Sequence, residues 1–71
     1  MISDRLERLV EEMVDKGVLF DDAVREFEKR FIAQVLGKVE GNLTRTADTL
    51  GIHRNTLTRK MGRYKIKKRN G

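Results

Sequence analysis

Seventy-one residues with no Cys and a single His make at most one domain. A chain of this size buries only about 60% of its unfolded surface, and with no disulfide, thiolate metal site or zinc site open to it, the expected supplement to its core is a second subunit. The net charge of +5 is split: residues 1–40 hold seven Lys/Arg against ten Asp/Glu, a net of −3, whereas residues 41–71 hold nine against Asp48 alone, a net of +8, so one end is expected to meet a polyanion and the other to do something else.

The first predicted helix begins near Ser3, a good N-cap residue. Leu6, Leu9, Val10, Met13 and Val14 follow the spacing of one apolar helix face, and Gly17 supplies a left-handed stop after Lys16. The connector Val18-Leu19-Phe20 is short and wholly apolar, so it is expected to pack against something. The second helix opens at Asp21 as N-cap, with Phe20 and Val24 or Arg25 placed for a hydrophobic staple, and Gly41 ends it. Val24, Phe27, Phe31, Val35 and Val39 form its stripe, widened by Ala23, Ile32 and Leu36. Apolar faces this wide on two helices cannot satisfy each other completely. One outcome is a single core shared with the C-terminal helices. The other, expected here, is a homodimer whose four-helix core is built from Leu6, Leu9, Val10, Met13, Val24, Phe27, Phe31 and Val35 of both chains.

The decisive stretch is GNLTRTADTLGIHRNTLTRK, residues 41–60, with five Thr and four Arg or Lys. A short third helix is predicted over residues 45–50 with Thr44 as N-cap, and a fourth over 54–64. Two helices joined by a Gly-containing turn make a helix-turn-helix. That motif needs a small inward residue where the helices cross, which Ala47 provides. It needs a turn residue tolerant of positive φ, which Gly51 provides. Aliphatic plugs around the turn are supplied by Leu43, Leu50, Ile52 and Leu57. The expected architecture is therefore all-α with four helices: dimerisation helices over 1–41, a helix-turn-helix over 42–66, and a basic flexible tail over 67–71.

On a helical wheel, Leu57, Met61 and Tyr64 face inward. Asn55, Thr58, Arg59 and Gly62 fall on the opposite side, which carries no acid. Arg54 occupies the first turn, where a recognition helix presents base-reading residues, and Arg can pair with guanine O6 and N7. Arg54, His53, Asn55 and Thr58 are the candidate base readers. Asn42, Thr44, Arg45, Thr56, Arg59, Lys60 and Arg63 are the candidate phosphate contacts, as short polar side chains at helix N-termini and cations along the backbone track. Thr44 has a second reading as a plain cap. His53 either caps the fourth helix or touches a base or phosphate. Gly62 either ends the fourth helix near Met61 or lets a DNA backbone approach.

These residues carry a likeness. Gly41-Asn42-x-Thr44-Arg45, Ala47, Gly51-Ile52, Thr56-Leu57 and Arg59-Lys60, with the preceding FDDAVREFEKRFIAQVLGKVEGN, resemble the Fis-type helix-turn-helix family, which also includes the C-terminal DNA-binding domains of NtrC-type activators. The likeness spans about residues 20–66. It implies a homodimer on the first two helices, two recognition helices in neighbouring major grooves, and bent DNA. It also implies phosphate contacts from Asn42 and Thr44, base reading by Arg54, and backbone contacts from Thr56, Arg59, Lys60 and Arg63. Two departures stand out: His53 replaces the Asn common before the reading Arg, and Gly62 replaces a basic residue. The family's N-terminal arm for recombinases is not expected here.

The expected function is sequence-influenced binding of double-stranded DNA by a homodimer, with bending and transcriptional regulation, in the cytoplasm and on the nucleoid. The alternatives are a DNA-binding domain excised from an NtrC-type activator, or a dimerising protein-interaction module whose basic end merely solvates. No apolar run approaches the roughly 18 residues of a membrane span, and MISDRLERLVEE is charged from residue 4 without a signal-peptide pattern. An enzyme is not expected, since there is no Gly-rich phosphate loop and no acid/base cluster. No cofactor, metal, membrane or small-molecule substrate is expected as a partner. RNA is a weaker rival, because aromatic stacking platforms are missing.

Overall fold

The computed structural model describes residues 1–66 and holds, within them, four helices and no strand. These are α1 (Ile2–Asp15), α2 (Phe20–Lys38), α3 (Leu43–Leu50) and α4 (Arg54–Tyr64). The all-α, four-helix architecture expected from periodicity is the one observed. The basic tail expected at 67–71 lies outside the described residues.

Three helix starts differ from expectation. Helix α1 begins at Ile2 with Met1 in the cap position and no side-chain cap bond, so Ser3 lies inside the first turn. Helix α2 begins at Phe20, with Leu19 in the cap position. Asp21 and Asp22 act in its first turn as charges favourable to the helix dipole rather than as caps. Phe20 is then a helical residue, 80% exposed, and no staple forms. Helix α3 is capped by Asn42, whose Oδ1 accepts from the Arg45 N–H at 3.0 Å, so Thr44 is inside the helix and not its cap. In each case the cap position falls two residues earlier than the cap residue expected by type. The apolar connector also departs from expectation: Val18, Leu19 and Phe20 pack against nothing in the single chain and stay 40–80% exposed.

Helix ends obey one rule. After α1, the Val18 N–H returns to Met13 O and the Gly17 N–H to Val14 O, a Schellman closure. After α3, Gly51 takes φ +74 and the Ile52 N–H returns to Ala47 O at 3.1 Å. After α2 the same closure places Glu40, not Gly, in the left-handed position at φ +55, with the Gly41 N–H on Leu36 O. A left-handed L-residue costs about 1–2 kcal/mol. Glu40→Gly should therefore raise the unfolding free energy by up to about 1 kcal/mol, after allowing for the extra freedom of glycine in the unfolded chain. Urea unfolding measures it, and a loss of stability would mean that the Glu40 side chain does something useful where it stands.

The core sits at the C-terminal end of α2, against α3 and α4. Ile32 and Leu36 from α2, Ala47 from α3, and Leu57 and Met61 from α4 are buried, with Leu43, Leu50, Ile52, Tyr64 and Ile66 packed around them. Leu57 and Thr46 are fully enclosed. Thr46 tolerates this because its hydroxyl donates to Asn42 O at 2.7 Å, and among the described residues no buried side-chain polar atom lacks a partner. Ile32 and Leu36, which on periodicity alone only widen the stripe of α2, are the residues that hold the helix-turn-helix to it. By contrast, α1 contributes no buried residue.

Candidate nucleic-acid interface

Helices α3 and α4 are joined by Gly51, Ile52 and His53, and the left-handed Gly51 redirects the chain so that α4 packs on α3 with Ala47, Leu57 and Met61 in one core. Ala47 is buried, at 3% exposure. This packing sets two helix N-termini on one side of the molecule. Glu40, Gly41, Asn42, Leu43 and Thr44 line a shallow surface cleft together with Arg54, the first residue of α4. The Asn42 carbonyl oxygen accepts from the Thr46 N–H, and its side-chain oxygen from Arg45. The N–H groups of Leu43 and Thr44 precede the first intrahelical bond and remain outward-pointing donors. Together with the free amide nitrogen of Asn42 and the Thr44 hydroxyl, they form a set that suits a phosphate oxygen.

At the start of α4, His53 is the N-cap: its Nδ1 accepts from the Asn55 N–H at 3.1 Å. The capping reading of His53 is the one the geometry supports. Because Nδ1 accepts, a neutral imidazole carries its proton on Nε2, which leaves that edge as a donor toward solvent. Arg54, Asn55, Thr58 and Arg59 are all exposed on the same side. The Thr58 hydroxyl donates back to Arg54 O at 3.0 Å, so in the free chain it offers only lone pairs outward. Thr56 is half-buried, and Arg45 and Arg63 are exposed. Gly62 lies inside α4, which runs on to Tyr64, so the helix does not end at Met61. A Cβ added at Gly62 would meet nothing within 4 Å.

Lys60 is placed differently from the other cations. Its Nζ donates to Glu28 Oε1 at 2.8 Å, and the same oxygen accepts from the Tyr64 hydroxyl at 2.6 Å. These two hydrogen bonds hold the Glu28 carboxyl below the usual carboxylate range against the opposing effect of its burial, and attraction to Lys60 and Arg63 lowers it further. The Tyr64 phenol is raised, chiefly because it donates to that carboxylate, then by burial and by repulsion between the two anions. Glu28 is not among the site residues expected from the sequence. A signal was available: Glu28, Ile32 and Leu36 are spaced by four, so an acid shares the inward face of α2.

The remaining expected site residues form a separate group. In the single chain Leu6, Leu9 and Val10 are half-exposed, Val24, Phe27 and Phe31 are 39–55% exposed, and Met13 and Val35 are partly covered. The rings of Phe27 and Phe31 lie 5.5 Å apart, tilted by 50°, on the open face of α2. No helix among the described residues is long and apolar enough to cross a membrane.

Residues 23–64, more than half of the chain, match the family described as Bacterial regulatory protein, Fis family. The chain belongs to the Fis family. Within it, the chain is 42% identical over 50 residues to a protein of Xylella fastidiosa (strain Temecula1) provisionally named Fis-like DNA-binding protein; the match covers 70% of this chain and 56% of that relative. The same-named protein of strain 9a5c is 40% identical over the same length and with the same coverage. The regulatory protein AtoC of Escherichia coli (strain K12) is 47% identical over 45 residues, which are 63% of this chain and 10% of AtoC. The chain thus spans little more than half the length of the Xylella relatives and a small part of AtoC. No solved structure matches it significantly. In Fis-family terms, the matched span begins inside α2 and ends with α4, so it takes in the whole buried core and leaves out α1.

Proposed function

We propose that this Fis-family chain is a DNA-binding regulator of transcription that acts as a homodimer on the nucleoid, in the cytoplasm, and bends the duplex it occupies. One observation carries the DNA reading most directly: the helix-turn-helix gathers Asn42, Thr44 and Arg54 around one cleft and extends that side with the exposed Asn55, Thr58 and Arg59. In this reading α4 enters the major groove. Arg54 reads a base edge, helped by Asn55, Thr58 and the Nε2 edge of His53. Asn42, Thr44, Arg45, Thr56, Arg59 and Arg63 hold phosphates. Gly62, with open space over its Cα, is the point of closest backbone approach. The names of the Xylella relatives agree with a DNA partner.

The dimer is supported by what the single chain leaves uncovered. A fourteen-residue helix with a regular apolar face contributes no buried residue, and the Phe27–Phe31 face of α2 lies equally open. Contiguous apolar surface of this kind marks an association face. A twofold pairing of α1 and α2 covers both faces at once, and it sets two copies of α4 side by side.

The test is a binding titration against salt and sequence. Log K should fall linearly with log salt by about 0.9 per phosphate contact. Arg54→Ala should cost about 1–3 kcal/mol on a preferred duplex and erase part of the preference, while changing random-duplex binding less. A flat salt response in the unaltered chain removes the DNA reading. Equal losses on preferred and random duplex remove only the role given to Arg54.

A further inference from the structure

Glu28 is the one side chain among the described residues that ties α2 to α4 by hydrogen bonds. The other ion pairs among those residues, Met1 with Asp4, Arg25 with Asp22 and Arg30 with Glu26, each join neighbours three or four apart. We infer that Glu28 is a positioning residue for DNA recognition: by holding Lys60 and Tyr64 on one carboxylate oxygen, it fixes the roll of α4 on α2 and assigns Lys60 to the protein rather than to a phosphate. The inference rests on the DNA reading above.

The geometry argues it in three steps. Lys60 and Tyr64 are one helical turn apart and so share a face of α4, the face that also carries the buried Leu57 and Met61. Glu28 stands one turn before Ile32 on the inward face of α2. The apolar contact between Ile32, Leu36, Leu57 and Met61 is non-directional, and it tolerates a small roll or slide of one helix on the other. Two short bonds at 2.8 and 2.6 Å to one oxygen do not tolerate it. With a helix about 10–12 Å across, a roll of about 10° carries a side-chain tip on the far side by about 1 Å. That is enough to spoil a bidentate contact to a base, since recognition groups must be held to within about 0.5 Å. Asn55, Thr58 and Arg59 are on that far side, and Arg54, exposed in the first turn, rotates with them. The pair is also partly sheltered, with the side chains of Lys60 and Glu28 28% and 31% exposed, less than those of the other ion pairs among the described residues.

The experiment uses the full chain and two DNA probes: a duplex selected by the unaltered chain from a random pool, and an unselected random duplex. Glu28→Gln should keep helix content and sedimentation behaviour while the ratio of selected to random affinity falls about fivefold or more. Tyr64→Phe, which keeps the ring in the core and removes one of the two bonds, should lower the ratio in the same direction by a smaller factor; it serves as the decisive variant if Glu28→Gln does not fold. Lys60→Gln should leave the salt slope where it was, whereas Arg59→Gln should flatten it by about 0.9. A merely structural clasp would lower thermal stability and leave the ratio untouched, and that result overturns the inference. So does a Lys60→Gln slope that flattens as Arg59→Gln does. Failure of the unaltered chain to bind any duplex in a salt-dependent way would appear before any variant is made, and it overturns the DNA reading and this inference together.

Discussion

Phe31→Asp should break the proposed dimer and leave a monomer with little affinity for DNA. The reason is local. Phe31 is half-exposed in the single chain, its ring pairs with that of Phe27, and it is not one of the buried residues Ile32, Leu36, Ala47, Leu57 and Met61, so the composition of that core is unchanged by an Asp there. In the proposed dimer the same position is covered on both chains. Phe31 is already half covered in the single chain, so losing the two side chains forfeits about half of the roughly 1.5–3 kcal/mol of full burial at each and weakens association by about 1.5–3 kcal/mol, or roughly one to two orders of magnitude in dissociation constant. Burying an unpaired carboxylate adds to that. Sedimentation across a concentration series reads the change, and circular dichroism reports whether the helices persist. Phe31→Leu is the control and should remain dimeric. If the unaltered chain sediments as a folded monomer and binds DNA tightly in that form, the α1–α2 pairing is wrong.

Leu57→Ala should have the largest effect on folding. Among the described residues Leu57 is the one apolar side chain with no exposure at all, and it sits in α4 among residues of all three packed helices. Truncating a buried Leu to Ala costs about 2–5 kcal/mol, against a total of about 5–15 kcal/mol for an ordinary domain and less for a small one. For a domain of this length each kcal/mol moves the melting temperature by about 4–8 °C, so a drop of at least about 8 °C is expected. DNA affinity should fall with the folded fraction, and unlike the loss in Arg54→Ala it should recover on cooling. Leu57→Met, nearly equal in volume, should cost less than about 1.5 kcal/mol. A Leu57→Ala shift below about 4 °C would show that the helix-turn-helix is not held by this core.

Much of this was legible before any coordinates. The element count, the bounds of α4, the buried Ala47, the left-handed Gly51 and the inward trio Leu57, Met61 and Tyr64 all follow from apolar period and turn chemistry, which act over a few residues. Helix starts were less legible. Ser3, Asp21 and Thr44 are good cap residues by type, yet Met1, Leu19 and Asn42 occupy the cap positions. The choice between a cap and a first-turn residue turns on which backbone conformation the preceding connector can deliver, and residue type alone does not carry that information.

By itself the amino-acid order determined the helices, the turn and the separation of an acidic end from a basic one, because each depends on neighbours within one or two helical turns. Only the tertiary structure decided which of α2's apolar residues face the helix-turn-helix and which remain open, and that Lys60 and Tyr64 meet Glu28 more than thirty positions away. The physical reason is that a helix periodicity gives the angle of a side chain about its own axis. Which neighbour lies at that angle is set by how helices cross, and the crossing here is fixed by the volumes of Ala47, Leu57 and Ile32 packed together.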